Sequence, residues 1–401
     1  MNATNRHLGA LLAALAVVVA AGPARAAISA QCPADTDGMD TDGDGNAGND
    51  NVCRHLIASD GYADMADGRL LYVFGFSEIL SGEPLDMAVM NHTLSANAPA
   101  PTMAFREGQR VYLTLSNAGF MVRPDLFDPH SVHWHGFPNA APIFDGMPDS
   151  TVTIKMDASQ PYFYSVVDPG TYLYHCHVEA TEHIQMGMVG QLYVQPKQNM
   201  LPAGTVLGSF THRRGQKYGY NDGDGSSRYD VEVALQLDSF DPDFHDASES
   251  VQPLPFALME DRYFLINGRG YPDTVRRGPM PNSFDGQLSQ KIDAQVRARR
   301  GQRVLLRLSN LSVTEHFTVT LQGIPMHVVG EDARLLRGPT GLDLSYDTTS
   351  VTLGGGETAD VILDTTGVVP GTYFLYTTNL NFLSNDAEDN GGMMTEVVIL
   401  G

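Results

Sequence analysis

A chain of 401 residues with 47 acidic against 25 basic side chains carries a formal net charge of −22. Such a surface disfavours nucleic acid and anionic membranes as partners and favours cationic substrates, metal ions or basic proteins. With 42% hydrophobic residues the chain can bury large cores, and its length suits two domains better than one.

Residues 1–26 hold Arg6, an apolar run from Leu8 to Ala21 and the small-x-small pattern Ala24-Arg25-Ala26. They predict a secretory signal cleaved before Ala27, too short for a membrane span, and no other stretch is long enough to span. The mature protein is then expected in a bacterial periplasm, an oxidising compartment. Residues 27–66 form an acidic extension containing Cys32 and Cys53. With Cys176 set aside for the cluster described below, these two are expected to form a disulfide. Between them Asp40, Asp42, Asp44 and Gly45 match the opening of a calcium loop, in which alternate carboxylates converge and glycine makes the turn. Position twelve of that loop is Asn51 where an EF-hand has Glu, so a disordered acidic segment is the alternative.

From 67 to 197 the pattern changes to short runs rich in β-branched and aromatic residues, bounded by Gly, Pro, Asn and Asp. Leu70 to Phe76, Arg110 to Leu115, Val152 to Met156, Tyr162 to Val166, Thr171 to His175 and Gly190 to Val194 are predicted strands. Without long amphipathic helices, this spacing predicts an all-β sandwich of Greek-key type.

Two segments of this domain hold six of the chain's 13 histidines. The first is Asp128-Pro-His130-Ser-Val-His133-Trp-His135-Gly136. The second runs from Tyr172 through His175-Cys176-His177 to His183 and Met188. Thiol, imidazole and thioether together are the donors that copper selects. In a strand, positions i and i+2 share a face, so His133 and His135 project together, as do His175 and His177, while Cys176 points the other way. A trigonal His-His-Cys site with a weak axial Met is the blue-copper arrangement, and His130, Cys176, His183 and Met188 supply it. His133, His135, His175 and His177 would face a second, inner metal.

His-x-x-His-x-His-Gly and His-Cys-His followed by His-x-x-x-Gly-Met resemble the copper motifs of the multicopper oxidases, within the cupredoxin superfamily. The family usually places the second type 1 histidine five residues after the cysteine; here it comes at 183, two residues later. We read a lengthened turn between a strand that cysteine ends and a strand that the histidine and methionine open. Copper nitrite reductases also resemble this chain in having a longer loop, but they lack a histidine at the position of His177.

Residues 198–227 are predicted to be a surface linker, and 228–401 a second domain that repeats the first. Gly108 to Asn117 is echoed by Gly301 to Asn310, and Pro169-Gly-Thr-Tyr172 by Pro370-Gly-Thr-Tyr373. Aligning Gly136 with Gly323 puts Phe317, Thr320 and Gln322 at the places of His130, His133 and His135. The strand after Tyr373 holds neither His nor Cys.

The resemblance implies two cupredoxin-like sandwiches, a copper cofactor, an external electron donor (a small molecule or a redox protein) and catalysis at His133, His135, His175 and His177. It also implies a homotrimer in which the inner centre lies between one subunit's first domain and the next subunit's second. In the second domain's core only His316 and His327 remain as candidates for that centre. Three functions follow: a copper oxidoreductase, a mononuclear electron-transfer protein, or a copper-storage or resistance protein. The last would be expected to carry long Met-rich or His-rich tracts, and the chain has none.

Overall fold

The structure, a computed structural model, describes residues 30–401 except Ser81 and Asn139. The predicted signal and its cleavage site before Ala27 lie outside the described residues. Among the described residues no helix is long and apolar enough to cross a membrane.

The first sandwich is built from β1 (Asn51–Asp64), β2 (Leu70–Glu78), β3 (Met103–Arg106), β4 (Arg110–Asn117), β5 (His133–His135), β6 (Ser159–Ser165), β7 (Gly170–His175) and β8 (Val189–Gln195). One sheet has the order β2-β1-β4-β6 and the other β3-β8-β7-β5. Strand alternation explains which residues fill the space between them. Val111, Leu113 and Leu115 of β4 enter the core with Phe74, Phe76, Trp134 and Leu192. β2 is apolar almost throughout because both its faces are covered. Tyr72, Phe74 and Phe76 enter the first core, while Leu71 and Val73 pack against Phe240, Tyr263 and Leu265 of the second domain.

The structure differs from the sequence expectations in three places. The extension does not reach residue 66, because β1 pairs antiparallel with β2 and parallel with β4. Asp60 of this strand is buried, and it accepts from Tyr72 Oη at 2.9 Å, Met121 N at 3.0 Å and Val122 N at 2.8 Å. Residues 152–156 form no strand; Ile154 makes one isolated bridge, to His130. The predicted linker carries one small hairpin and the first strand of another, which returns at Arg228–Tyr229; its Tyr220, with Tyr229 just beyond its end, is buried against Leu305, Val329 and Ile362.

The second sandwich repeats the first strand for strand. Tyr263–Ile266, Val231–Phe240, Arg303–Asn310 and Thr358–Asp364 follow the order of β2-β1-β4-β6, and the sheet continues beyond them. Val296–Arg299, Met394–Leu400, Gly371–Thr377 and Phe317–Leu321 follow that of β3-β8-β7-β5. Corner contacts recur as well. Tyr172 Oη donates to Asp168 O at 3.1 Å and Tyr373 Oη to Val369 O at 2.7 Å. Gly136 and Gly323 share a φ of 74°, a left-handed turn that glycine adopts without strain.

Candidate metal centre

The register of two strands gathers the inner histidines. β5 pairs with β7 so that His133 stands opposite His175, Trp134 opposite Tyr174 and His135 opposite Leu173. Trp134 turns to the other face and stacks on Tyr164 with ring centres 3.8 Å apart. The ring centre of His133 lies 5.8, 5.3 and 5.2 Å from those of His135, His175 and His177. One donor atom each from His133, His135 and His175 lies within 4.8 Å of the others. His177 joins by ring contact only.

Hydrogen bonds orient these rings. His133 Nδ1 faces Asp145 O at 2.6 Å and His175 Nδ1 faces Cys176 O at 2.9 Å, so each can donate there and leave its Nε2 lone pair for a metal. His135 Nδ1 lies 3.4 Å from His175 Nε2. Burial lowers the basicity of His133 and His135 and pushes His175 down to about 3. These imidazoles are neutral at pH 7, the state that binds metal.

The outer set lies on the opposite side of the same strand end. His130, Cys176, His183 and Met188 are all fully buried. Cys176 Sγ lies 3.8 Å from His130 Nδ1 and 3.2 Å from His183 Nδ1. Sulfur and nitrogen sharing one first-row ion at trigonal angles stand roughly 3.5–3.8 Å apart, from bonds of about 2.3 and 2.0 Å. The donor chemistry fits copper, and the separation to His130 falls at that spacing while the one to His183 is shorter. Burial opposes a charge on His183, but Cys176 and Asp128 outweigh it and push this imidazole up to about 10.

The loop differs from its predicted form. His183 does not open a strand; it sits on the helix Ala180–Gln185, and Met188 comes one residue before β8. The two extra residues are accommodated in a helical turn, with Glu182 N and His183 N donating to Glu179 O at 2.9 and 3.0 Å. Met188 N donates to His183 O at 2.8 Å and Cys176 N to Met188 O at 3.1 Å, which closes the loop. Toward solvent, Asp128 Oδ2 lies 3.8 Å from His183 Nε2, and Glu179 completes a group whose donor atoms are within 4.8 Å.

The second domain contributes no group of this kind among the described residues. Thr320 stands opposite Tyr376, the register place of His133 and His175, and Phe317 is packed in the core. His327 bonds Asp347 at 2.8 Å. His316 is exposed and lies in a cavity of about 370 Å³ shared with Ala180, Thr181 and Ile184 of the loop that carries His183. Backbone rather than ligand meets the inner face, since a Cβ on Gly356 would stand 2.6 Å from His135 Nε2.

In the extension Cys32 and Cys53 are bonded at 2.04 Å. The carboxylates of Asp40, Asp42 and Asp44 converge within 4.8 Å, and Arg106 already lies against two of them, 2.8 Å from Asp44 and 2.5 Å from Asp42. Asp35 and Asp37 hold Arg110 in the same way.

The multicopper oxidase model matches residues 82–199, and a second multicopper oxidase model matches 243–398; together they span well over half of the chain. Laccase-3 of Thanatephorus cucumeris is 21% identical over 72% of this chain and 44% of its own length. The copper resistance protein A homolog of Pseudomonas syringae pv. tomato is 24% identical over 76% of this chain and 49% of its own. The chain thus spans about half the length of these curated relatives. The blue copper oxidase of Nitrosomonas europaea superposes with a TM-score of 0.60 at 21% identity, covering 87% of this chain and 86% of that one, a likeness of cupredoxin-like fold.

Proposed function

Because the chain belongs to the multicopper oxidase family, we propose that it is an exported, periplasmic copper oxidoreductase whose type 1 copper is held by His130, Cys176 and His183, with Met188 as weak axial ligand. The observation that carries this reading is the buried His130-Cys176-His183 cluster, whose donor atoms all lie within 4.8 Å of one another. Copper bound there supplies one-electron chemistry between its cupric and cuprous forms. Asp128 and Glu179 mark the surface at His183 where an external donor docks, and their charge favours a cationic small molecule or a basic redox protein. The backbone of Cys176 joins it directly to His175 and His177, a short covalent path inward. His133, His135, His175 and His177 hold further copper in this reading, and there the acceptor is reduced.

One observation favours a second reading, a mononuclear electron-transfer protein. Thr320 and Gln322 stand where a second domain of the oxidase type would supply histidines, so the inner face has half a ligand set. Copper content of purified protein, with visible and paramagnetic spectra, separates the two. About one copper per chain supports the electron-transfer protein, and about two or more the oxidoreductase.

A homotrimer, with His316 of the partner subunit brought near the inner face, belongs to the first reading. Sedimentation at a mass near three chains supports it, and a monomer removes it. Calcium at Asp40, Asp42 and Asp44 requires that the ion displace Arg106. Protection of residues 30–50 from protease in calcium but not in chelator tests that site.

A further inference from the structure

The helix inside the copper loop ends against the second domain. Gln185, two positions after His183, is 1% exposed, and its side-chain Nε2 donates to Asp261 Oδ1 at 2.9 Å. The other oxygen of Asp261 accepts from Ser239 Oγ and Thr314 Oγ1. The carboxylate is thus fixed by its own domain on one side and offers its remaining oxygen to the loop. The backbone oxygen of Gln185 faces His245 Nε2 at 3.0 Å, and His245 Nδ1 faces Tyr72 O of β2. His245 is fully buried on the helix Pro242–Glu249. Ile184 packs with Leu311 of the second domain. Residue 185 is therefore held at its side chain by Asp261, with its backbone oxygen against His245, in a domain that supplies no metal-ligand group of its own among the described residues.

We propose that Asp261 and His245 are positioning residues for the type 1 site: through Gln185 the second domain sets where His183 and Met188 stand relative to Cys176. The inference rests on the type 1 reading above. It gives the loop's extra length a purpose, because the added helical turn is what carries residue 185 across to Asp261 and His245. Metal sites need their ligands held within about 0.5 Å, and buried hydrogen bonds behind the ligands do that holding. A ligand that drifts on its helix changes the copper-thiolate geometry, and the reduction potential and colour change with it.

The test is a pair reversal. Gln185→Glu sets a carboxylate against Asp261, and the double variant Gln185→Glu, Asp261→Asn restores a donor and an acceptor with their direction exchanged. The amide introduced at 261 then donates to the carboxylate at 185, while its oxygen still accepts from Ser239 and Thr314. The single variant is expected to change the oxidised-to-reduced ratio at fixed poise at least tenfold, about 59 mV for one electron. It should also alter the copper hyperfine splitting, and the double variant should return both readouts toward those of the parent. A melting temperature is taken alongside. If the single variant fails to fold, Gln185→Met removes the bond while keeping side-chain length, and the same shift is expected. A lowered melting temperature with unmoved potential and splitting overturns the proposal, as does a double variant that restores neither. Absence of a copper-thiolate band in the parent protein overturns the type 1 reading along with it.

Discussion

In the first sandwich His133 stands opposite His175; in the second, the same register holds Thr320 and Tyr376. Cys176 likewise corresponds to the buried Thr377, and His130 to Phe317, packed against Phe264 and Phe382. Around these differences the frame is constant. Asn117 Nδ2 donates to Ile154 O at 2.9 Å, and Asn310 Nδ2 to Leu353 O at 3.0 Å, at the same corner. The ligands are thus carried by a frame that closes without them. The second copy keeps the frame, fills the corresponding places with core and surface residues, and packs Asp261 and His245 against Gln185 in the first copy's Cys176–Met188 loop.

The sharpest way to break that comparison is at Cys176. Cys176→Ser should abolish the intense visible absorption completely, because Cys32 and Cys53 are bonded to each other and Cys176 is the remaining thiol. A spectrum that kept the band would remove the difference between the copies. Next in size is the frame. Leu306→Ala in the second core should cost roughly 2–5 kcal/mol in denaturant unfolding, as should Leu113→Ala in the first, since both are fully buried. If Leu306→Ala bleached the folded protein, the second core would be part of the copper site.

A smaller effect is expected from Asp238, whose register equivalent in the first sandwich is Ser59. Burial, with Asp261 nearby, pushes Asp238 up to about 8 from an ordinary 3.8. The native state then keeps a proton that the unfolded chain gives up. This contribution is fully present below pH of about 4 and is lost as pH rises toward about 8. Asp238→Asn should flatten that decline in a pH series of unfolding midpoints; a parallel curve would refute it. Smallest of all, Arg334→Ala breaks a 3.5 Å pair with Asp168 between the sandwiches. With the Arg334 side chain 64% exposed, the change should stay below about 1 kcal/mol by thermal unfolding.

Much of the frame was legible because its signals are local. Short β-branched and aromatic runs between turn residues marked β2, β4, β6, β7 and β8, and the echo of Gly108 to Asn117 in Gly301 to Asn310 marked the duplication. Which histidines gather on each side of Cys176 was legible because motif spacing and strand alternation together dictate which side chains can meet. What escaped depended on distant partners. β1 read as part of an acidic extension because the hydroxyl and amide donors that satisfy Asp60 come from β2 and from the loop after β4. Arg106, which answers Asp42 and Asp44, lies 64 and 62 residues along the chain from them. The grip of Asp261 and His245 on Gln185 crosses a domain boundary, where no periodicity points. The loop helix was missed because a turn of helix and an irregular turn read alike over so few residues.

The bond between Cys32 and Cys53 also makes the Asp-rich segment a hinged flap with both ends tied down. One backbone cut anywhere between the two cysteines leaves both fragments on the same molecule, so clipping is invisible on a non-reducing gel and shows only after thiol treatment. The tethered piece still carries Asp35 and Asp37, so Arg110 keeps its counter-charges and that edge of the first sandwich does not become a cationic patch when the flap is nicked.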